Sequence, residues 1–278
     1  MPEPRYYSTR KPYATQPQRK GLFNFLRWAV RLFTHSHRMA WKTAEPREPA
    51  IFVCNHARAY GPIAIGAYFS RPFRPWVVGE ICDWGTAPQY MRDWFFFPKN
   101  AFMKGVFWLL SYLLTPVAVV VMNGAEAIPV FHDKRVLTTL NKSLQTLDEG
   151  KDIVVFPENS EAFSSFHNQF SVGFIQTARR YYRKTKRRLA FYPTFCCKET
   201  RVISVGQPLF YDPDMPMDKQ CQFIADHLAD EMTALAAEQE RLYGKPFQGD
   251  TYMYRTEDAE EMVRQREAAQ QQDRGLDE

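Results

Sequence analysis

From Ala50 onward, short apolar runs alternate with segments whose apolar residues recur at helical spacing. The runs predict β-strands over 51–54, 76–78, 127–131, 153–156, 189–193 and 202–205, since short apolar, β-branched stretches bounded by turn formers read as buried strands. Between them, Val136, Leu140, Leu144 and Leu147 share one helical face, and Gly150 follows as a residue suited to close that helix. Further helices are predicted over about 172–184 and 218–242. Strands separated by helices predict an α/β fold, a mixed and largely parallel sheet flanked by helices.

Two apolar segments stand apart from this alternation. Over 21–39, Leu22, Phe25, Leu26, Ala29, Leu32 and Phe33 recur at helical spacing, with Arg27, Arg31 and Arg38 interleaved. The pattern predicts an amphipathic basic helix that either lies in the interfacial plane of a bilayer or packs on its own domain. Residues 105–122 carry no charge and reach the lower length limit of a membrane span. Pro116 interrupts them and the VAVVV run is β-branched, so a buried helix followed by a core strand explains them as well as a membrane span does, and a core or interfacial element is the expectation. The chain then divides into a flexible basic arm (1–20), a membrane-docking amphipathic helix (21–45), one α/β domain (46–244) and an acidic helical or disordered tail (245–278).

Composition narrows the class. Of the 278 residues 45% are hydrophobic and 15% aromatic, which excludes disorder over most of the chain. The net charge of +5 is unevenly spread: nine Lys or Arg against one acid before residue 45, and nine acids against four Arg after residue 246. A positive, aromatic-rich start suits an anionic membrane surface, approached peripherally from the cytoplasmic face. The five cysteines are odd in number and lack metal-ligand spacing, as expected of a reduced cytosolic protein without a metal site. Seven cations fall between Arg179 and Arg188 around Tyr181 and Tyr182. This run ends a predicted helix, where the dipole favours cations, so it reads as a solvated helix end and no nucleic-acid partner is expected.

Two strand ends carry the candidate chemistry. The run 51–54 delivers Asn55 and His56 into a loop that closes at Gly61 and Pro62, where Pro suits the first turn of a helix. Working residues of α/β enzymes sit at such strand ends, although a structural or solvated His satisfies the same pattern. A second strand ends in Phe156, Pro157, Glu158, Asn159 and Ser160, presenting a carboxylate behind a backbone-fixing proline.

The NH-x4 segment, followed about a hundred residues later by FPE-x-S, resembles the glycerolipid acyltransferases of the lysophosphatidic acid acyltransferase type, which share H-x4-D and FPEG-(T/S)-R motifs. Residues 128–131 and 191–193 resemble two weaker blocks of that family, so four blocks fall in order between about Ile51 and Thr194. The resemblance implies acyl transfer from a thioester, acyl-CoA or acyl carrier protein, to a hydroxyl of a lysophospholipid-like acceptor. His56 would be the general base, with no covalent acyl-enzyme and no resident cofactor. It places Asn55, His132, Arg135, Phe156, Pro157, Glu158, Asn159 and Ser160 in acceptor binding. The sequence departs from the family where Gly61 replaces the motif Asp, His132 stands for a phosphate-binding Arg, and Glu161 for a second one. These losses point to a less anionic or larger acceptor. Glu80, Asp83 and Asp133 are the acids weighed as substitutes for the missing Asp, and a catalytically degenerate, lipid-binding member of the same fold is the alternative.

Overall fold

A computed structural model describes residues 21–57, 60–94, 101–131, 134–157 and 170–245. In chain order the elements are α1 (Gly21–Phe33), β1 (Arg38–Trp41), β2 (Ile51–Cys54), α2 (Tyr60–Tyr68), β3 (Phe73–Val78), a 3-10 turn (Gly79–Cys82), α3 (Ala87–Trp94), α4 (Ala101–Gly124) and β4 (Ile128–Val130). There follow α5 (Val136–Asp148), β5 (Asp152–Val155), α6 (Phe170–Thr185), β6 (Ala190–Cys197), β7 (Val202–Val205), β8 (Leu209–Phe210) and α7 (Met217–Tyr243). The fold is α/β, with mixed, largely parallel sheet and helices between the strands. Two compact units divide it.

The first unit takes in 71–155, together with α1 and residues 47–49. Here β5, β3 and β4 run parallel in that order, with Phe73 opposite Asp152 and Trp76 opposite Ile128. Helix α5 makes the crossover between β4 and β5, and Gly150 ends it at φ 74° as its N–H reaches the Leu147 carbonyl at 3.0 Å. At the head of β5, Asp152 is fully buried and accepts from Arg71 Nε at 2.5 Å and Nη2 at 3.1 Å. A buried charge is tolerated only when paired and hydrogen-bonded, and this bidentate fork meets both conditions.

The second unit holds 35–46, 50–70 and 156 onward. Parallel β2 and β6 place Ile51 opposite Phe191 and Cys54 opposite Thr194. On the far side of β6 lies antiparallel β7, beyond which β1 pairs parallel, and β8 pairs antiparallel with β6. Every residue of β2, β6 and β7 is buried, so these strands read as continuous apolar runs rather than alternating ones. Phe52 stacks on Tyr192 with centroids 5.1 Å apart and meets the edge of Phe69 at 4.9 Å. Helix α7 covers β6, joining Leu235 and Ala236 to Phe195 and Cys197, and Gly244 closes it at φ 82°.

Three expectations are corrected. The N-terminal helix stops at Phe33 rather than running through 39, because Arg38–Trp41 pair with β7 as β1. Its four residues carry no strand signature, and the partner supplied by β7 decides their conformation. Second, β6 continues to Cys197, four residues past the apolar block that marks it in the sequence. Third, 105–122 is neither a buried helix nor a helix followed by a strand. It is part of the single helix α4, which runs through Pro116, and its VAVVV run is helical. Only 17% of its most apolar window is buried. Pro116 removes one helical hydrogen bond, while Thr115 Oγ1 donates to the Ser111 carbonyl at 2.7 Å and Ser111 Oγ to the Trp108 carbonyl at 2.7 Å. The valines lower helix propensity by only tenths of a kcal/mol each, about 0.7 at most. Helix α4 is long and apolar enough to cross a membrane.

The Arg71–Asp152 pair gives the first prediction. Asp152→Asn or Arg71→Met should each destabilise the fold by about 3–5 kcal/mol, because each leaves a buried charge unpaired, whereas Arg71→Met/Asp152→Leu should recover much of that loss. Guanidinium denaturation of the three variants checks the order.

Candidate functional site

Strand β2 leaves the sheet at Cys54, and the next residue replaces what the sheet would have supplied. The Asn55 N–H still donates to the Thr194 carbonyl at 3.3 Å. Its side chain then turns to β6: Nδ2 donates to the Cys196 carbonyl at 3.1 Å, and Oδ1 accepts from the Cys196 N–H at 2.6 Å. A single carboxamide completes both backbone groups of Cys196, as a further strand residue would. Asn55 is buried at 1% exposure, where leaving either group unmet would cost about 1–3 kcal/mol.

His56 follows, half-buried, in a loop tightened by two backbone contacts. Tyr60 N–H donates to the Ala57 carbonyl at 3.2 Å, and Gly61 N–H to the His56 carbonyl at 3.0 Å. Ala57 takes φ 42°, a left-handed conformation that concentrates at turns and working loops. Gly61 is fixed by space. A Cβ there would lie 2.2 Å from the Asn55 carbonyl oxygen and 2.7 Å from that of His56, both backbone atoms that cannot swing aside. Residue 61 is therefore a position where this loop admits no side chain.

The His56 ring meets Phe156 nearly edge to face, with centroids 5.7 Å apart and planes at 75°. Both residues belong to the second unit, where Phe156 is half-buried and Pro157 buried. The beginnings of the two motifs, a hundred positions apart in sequence, thus touch. Arg135 belongs to the first unit, exposed, its guanidinium 4.0 Å above the Phe131 ring, which in turn covers Gly79. His132, Glu158, Asn159 and Ser160 lie outside the described residues, as does Asp133. Of the other acids weighed as substitutes for the motif Asp, Asp83 has its Oδ1 engaged by the N–H groups of Gly85 at 2.9 Å and Thr86 at 3.3 Å, and Glu80 sits in the 3-10 turn.

A second set of side chains behind this loop has no sequence signal. His37 is half-buried: Nδ1 donates to the His35 carbonyl at 2.9 Å, and Nε2 accepts from the Tyr60 hydroxyl. That hydroxyl also lies 3.3 Å from the Cys197 carbonyl, and Tyr68 stacks on the His37 ring at 4.8 Å. Twenty-three residues separate His37 from Tyr60, which fills an unspecified position of the NH-x4 segment. Burial raises the Tyr60 phenol well above its ordinary value, which keeps it a neutral donor. Burial also pushes the His37 imidazole below its ordinary value, and the Arg201 cation adds to that. Together the pair ties the start of α2 to the end of β6.

No family model, no curated protein and no solved structure matches the chain.

Two predictions follow from this geometry. Gly61→Asp restores the letter of the family motif but should disrupt the loop; loss of thermal stability by several degrees, with no gain of activity, is the expected calorimetric and kinetic result. For His37, the folded state favours the neutral ring, so its contribution is present above the unfolded imidazole value near 6.5 and is lost as pH falls through the lower folded value. Denaturation midpoints measured between neutral pH and about pH 5 should fall on acidification, and less steeply in His37→Gln.

Proposed function

We propose that the protein is a membrane-associated acyltransferase that moves a fatty acyl group from a thioester donor, acyl-CoA or acyl carrier protein, to a hydroxyl of a lysophospholipid-like acceptor. The observation that carries this reading is the contact between His56 and Phe156, which joins the NH-x4 loop to the first residue of the FPE segment at the ends of buried strands. Ligands of parallel α/β sheets bind at the carboxyl ends of the strands, and His56 lies two residues past that end of β2.

In the reaction, His56 takes the proton of the acceptor hydroxyl as its oxygen attacks the thioester carbonyl. The tetrahedral intermediate collapses to the new ester and expels the thiolate, which recovers the proton from the imidazolium. Both the ring's position and its tautomer matter, so a loop held by Asn55, Gly61 and Tyr60 gives the base a fixed backbone. Glu158 is assigned to acceptor binding by the motif. Replacement of two family arginines by His132 and Glu161 favours an acceptor less anionic than a phosphomonoester. Docking from the cytoplasmic face is assigned to α1, whose Phe25, Trp28, Leu32 and Phe33 are exposed and whose charged residues, Arg27 and Arg31, are both cationic, the sign that suits anionic headgroups.

One observation favours a second reading, a lipid-binding protein without turnover: Gly61 leaves no room for the motif carboxylate. Incubation of the full chain with labelled acyl-CoA or acyl carrier protein and a panel of lyso-lipids and long-chain alcohols separates the two. Transfer that falls by about 10²–10⁴ in His56→Ala is expected of the enzyme. Transfer unchanged in that variant overturns the assignment of the base, and liposome binding without transfer to any acceptor establishes the second reading.

A further inference from the structure

Helix α4 is turned inside out. The side chains it buries against its own unit are those of Ser111, Thr115 and Val119, spaced four apart, while Phe102, Val106, Leu109, Leu113 and Val117 form the opposite, exposed face. Leu113 is 70% exposed and Leu109 65%, both far beyond what a core helix shows. The inward stripe is fully served by protein: Arg92 Nη1 donates to Ser111 Oγ at 2.9 Å, and the Thr115 hydroxyl bonds within the helix. Neither α4 nor α1, which packs on it with Phe23 against Gly124, contains an acidic residue. Their charges are Arg27, Arg31 and Lys104, the sign that complements anionic headgroups.

We propose that α4 is a monotopic membrane insert: its Phe102–Val117 face lies among the acyl chains of one leaflet of an anionic bilayer, and the helix does not cross. The mid-helix environment decides against crossing. Ser111 is near the middle of α4, so a span would carry the Arg92 guanidinium bonded to it toward the centre of the hydrocarbon, where an isolated charge is strongly disfavoured. It would also draw in α3 and the 3-10 turn with Glu80, since both pack along α4. Lying in the plane, the same helix leaves Arg92 and these elements on the aqueous side and buries only apolar side chains. The inference does not depend on acyl transfer.

Flotation and labelling of the full chain test it. The chain should float with vesicles of phosphatidylcholine and phosphatidylglycerol. Leu109→Glu/Leu113→Glu should lower the bound fraction by about tenfold or more at unchanged circular dichroism, while Leu137→Glu, at an exposed leucine of α5, should leave it unchanged. In sealed membrane vesicles from cells producing the chain, with Cys82 and Cys221 replaced by Ser, Lys104→Cys and Asn123→Cys, both exposed and off the inserted face, should both react with an impermeant maleimide from the same side. Reaction from opposite sides means that α4 spans and overturns the proposal. Flotation unaffected by the double substitution, or a lipid-free dimer in sedimentation that the double substitution dissolves, also overturns it, the latter by assigning the face to a second copy of the chain.

Discussion

The candidate site depends on how β2 ends. A parallel strand that leaves its sheet exposes the neighbouring strand's N–H and C=O, and in a buried setting those groups must find partners. Asn55 supplies both from one side chain, so the chain departs from the sheet one residue before His56 without leaving Cys196 unsatisfied. No other side chain of this length offers a donor and an acceptor in that planar arrangement without charge; Asp would bring two acceptors to a site that needs one of each. Everything after Asn55 is then constrained: the left-handed Ala57, the bond from Gly61 to the His56 carbonyl, and the start of α2.

This constraint also separates what the sequence states from what it leaves silent. Strands β2, β6 and β7 were legible because both faces are buried and their residues form unbroken apolar runs. Strand β1 was not, since Arg38–Trp41 acquires its conformation from pairing with β7 rather than from its own composition. The two motif segments were legible as His and Glu at strand ends, yet their convergence is a tertiary fact, visible only where the His56 and Phe156 rings meet. His37 and Tyr60 left no local trace at all, because a hydrogen bond between residues 23 apart imposes no periodicity.

Helix α4 illustrates a different limit. Hydropathy identifies an apolar segment but not its surroundings, and a core helix, a span and an interfacial helix share the same composition. What distinguishes them is which face is covered. A soluble helix buries its apolar stripe; α4 buries Ser111 and Thr115 and presents leucines outward. The β-branched run after Pro116 misled in the same way, since local propensity differs by tenths of a kcal/mol and the environment of the whole helix outweighs it.

Glycine at residue 61 is required by the geometry of the loop. Were Gly61 a simple loss from an otherwise preserved site, restoring a carboxylate there would meet open space; instead a Cβ meets two carbonyl oxygens. The loop backbone fills the space that a side chain at residue 61 would need, and it is held by the Gly61 N–H on the His56 carbonyl and by Tyr60, fixed through its hydroxyl near the Cys197 carbonyl. His56 is restrained by the Gly61 N–H on its carbonyl and by the edge contact with Phe156, and not by a side chain at residue 61. A glycine at residue 61 thus contributes placement and no charge to any proton transfer at His56.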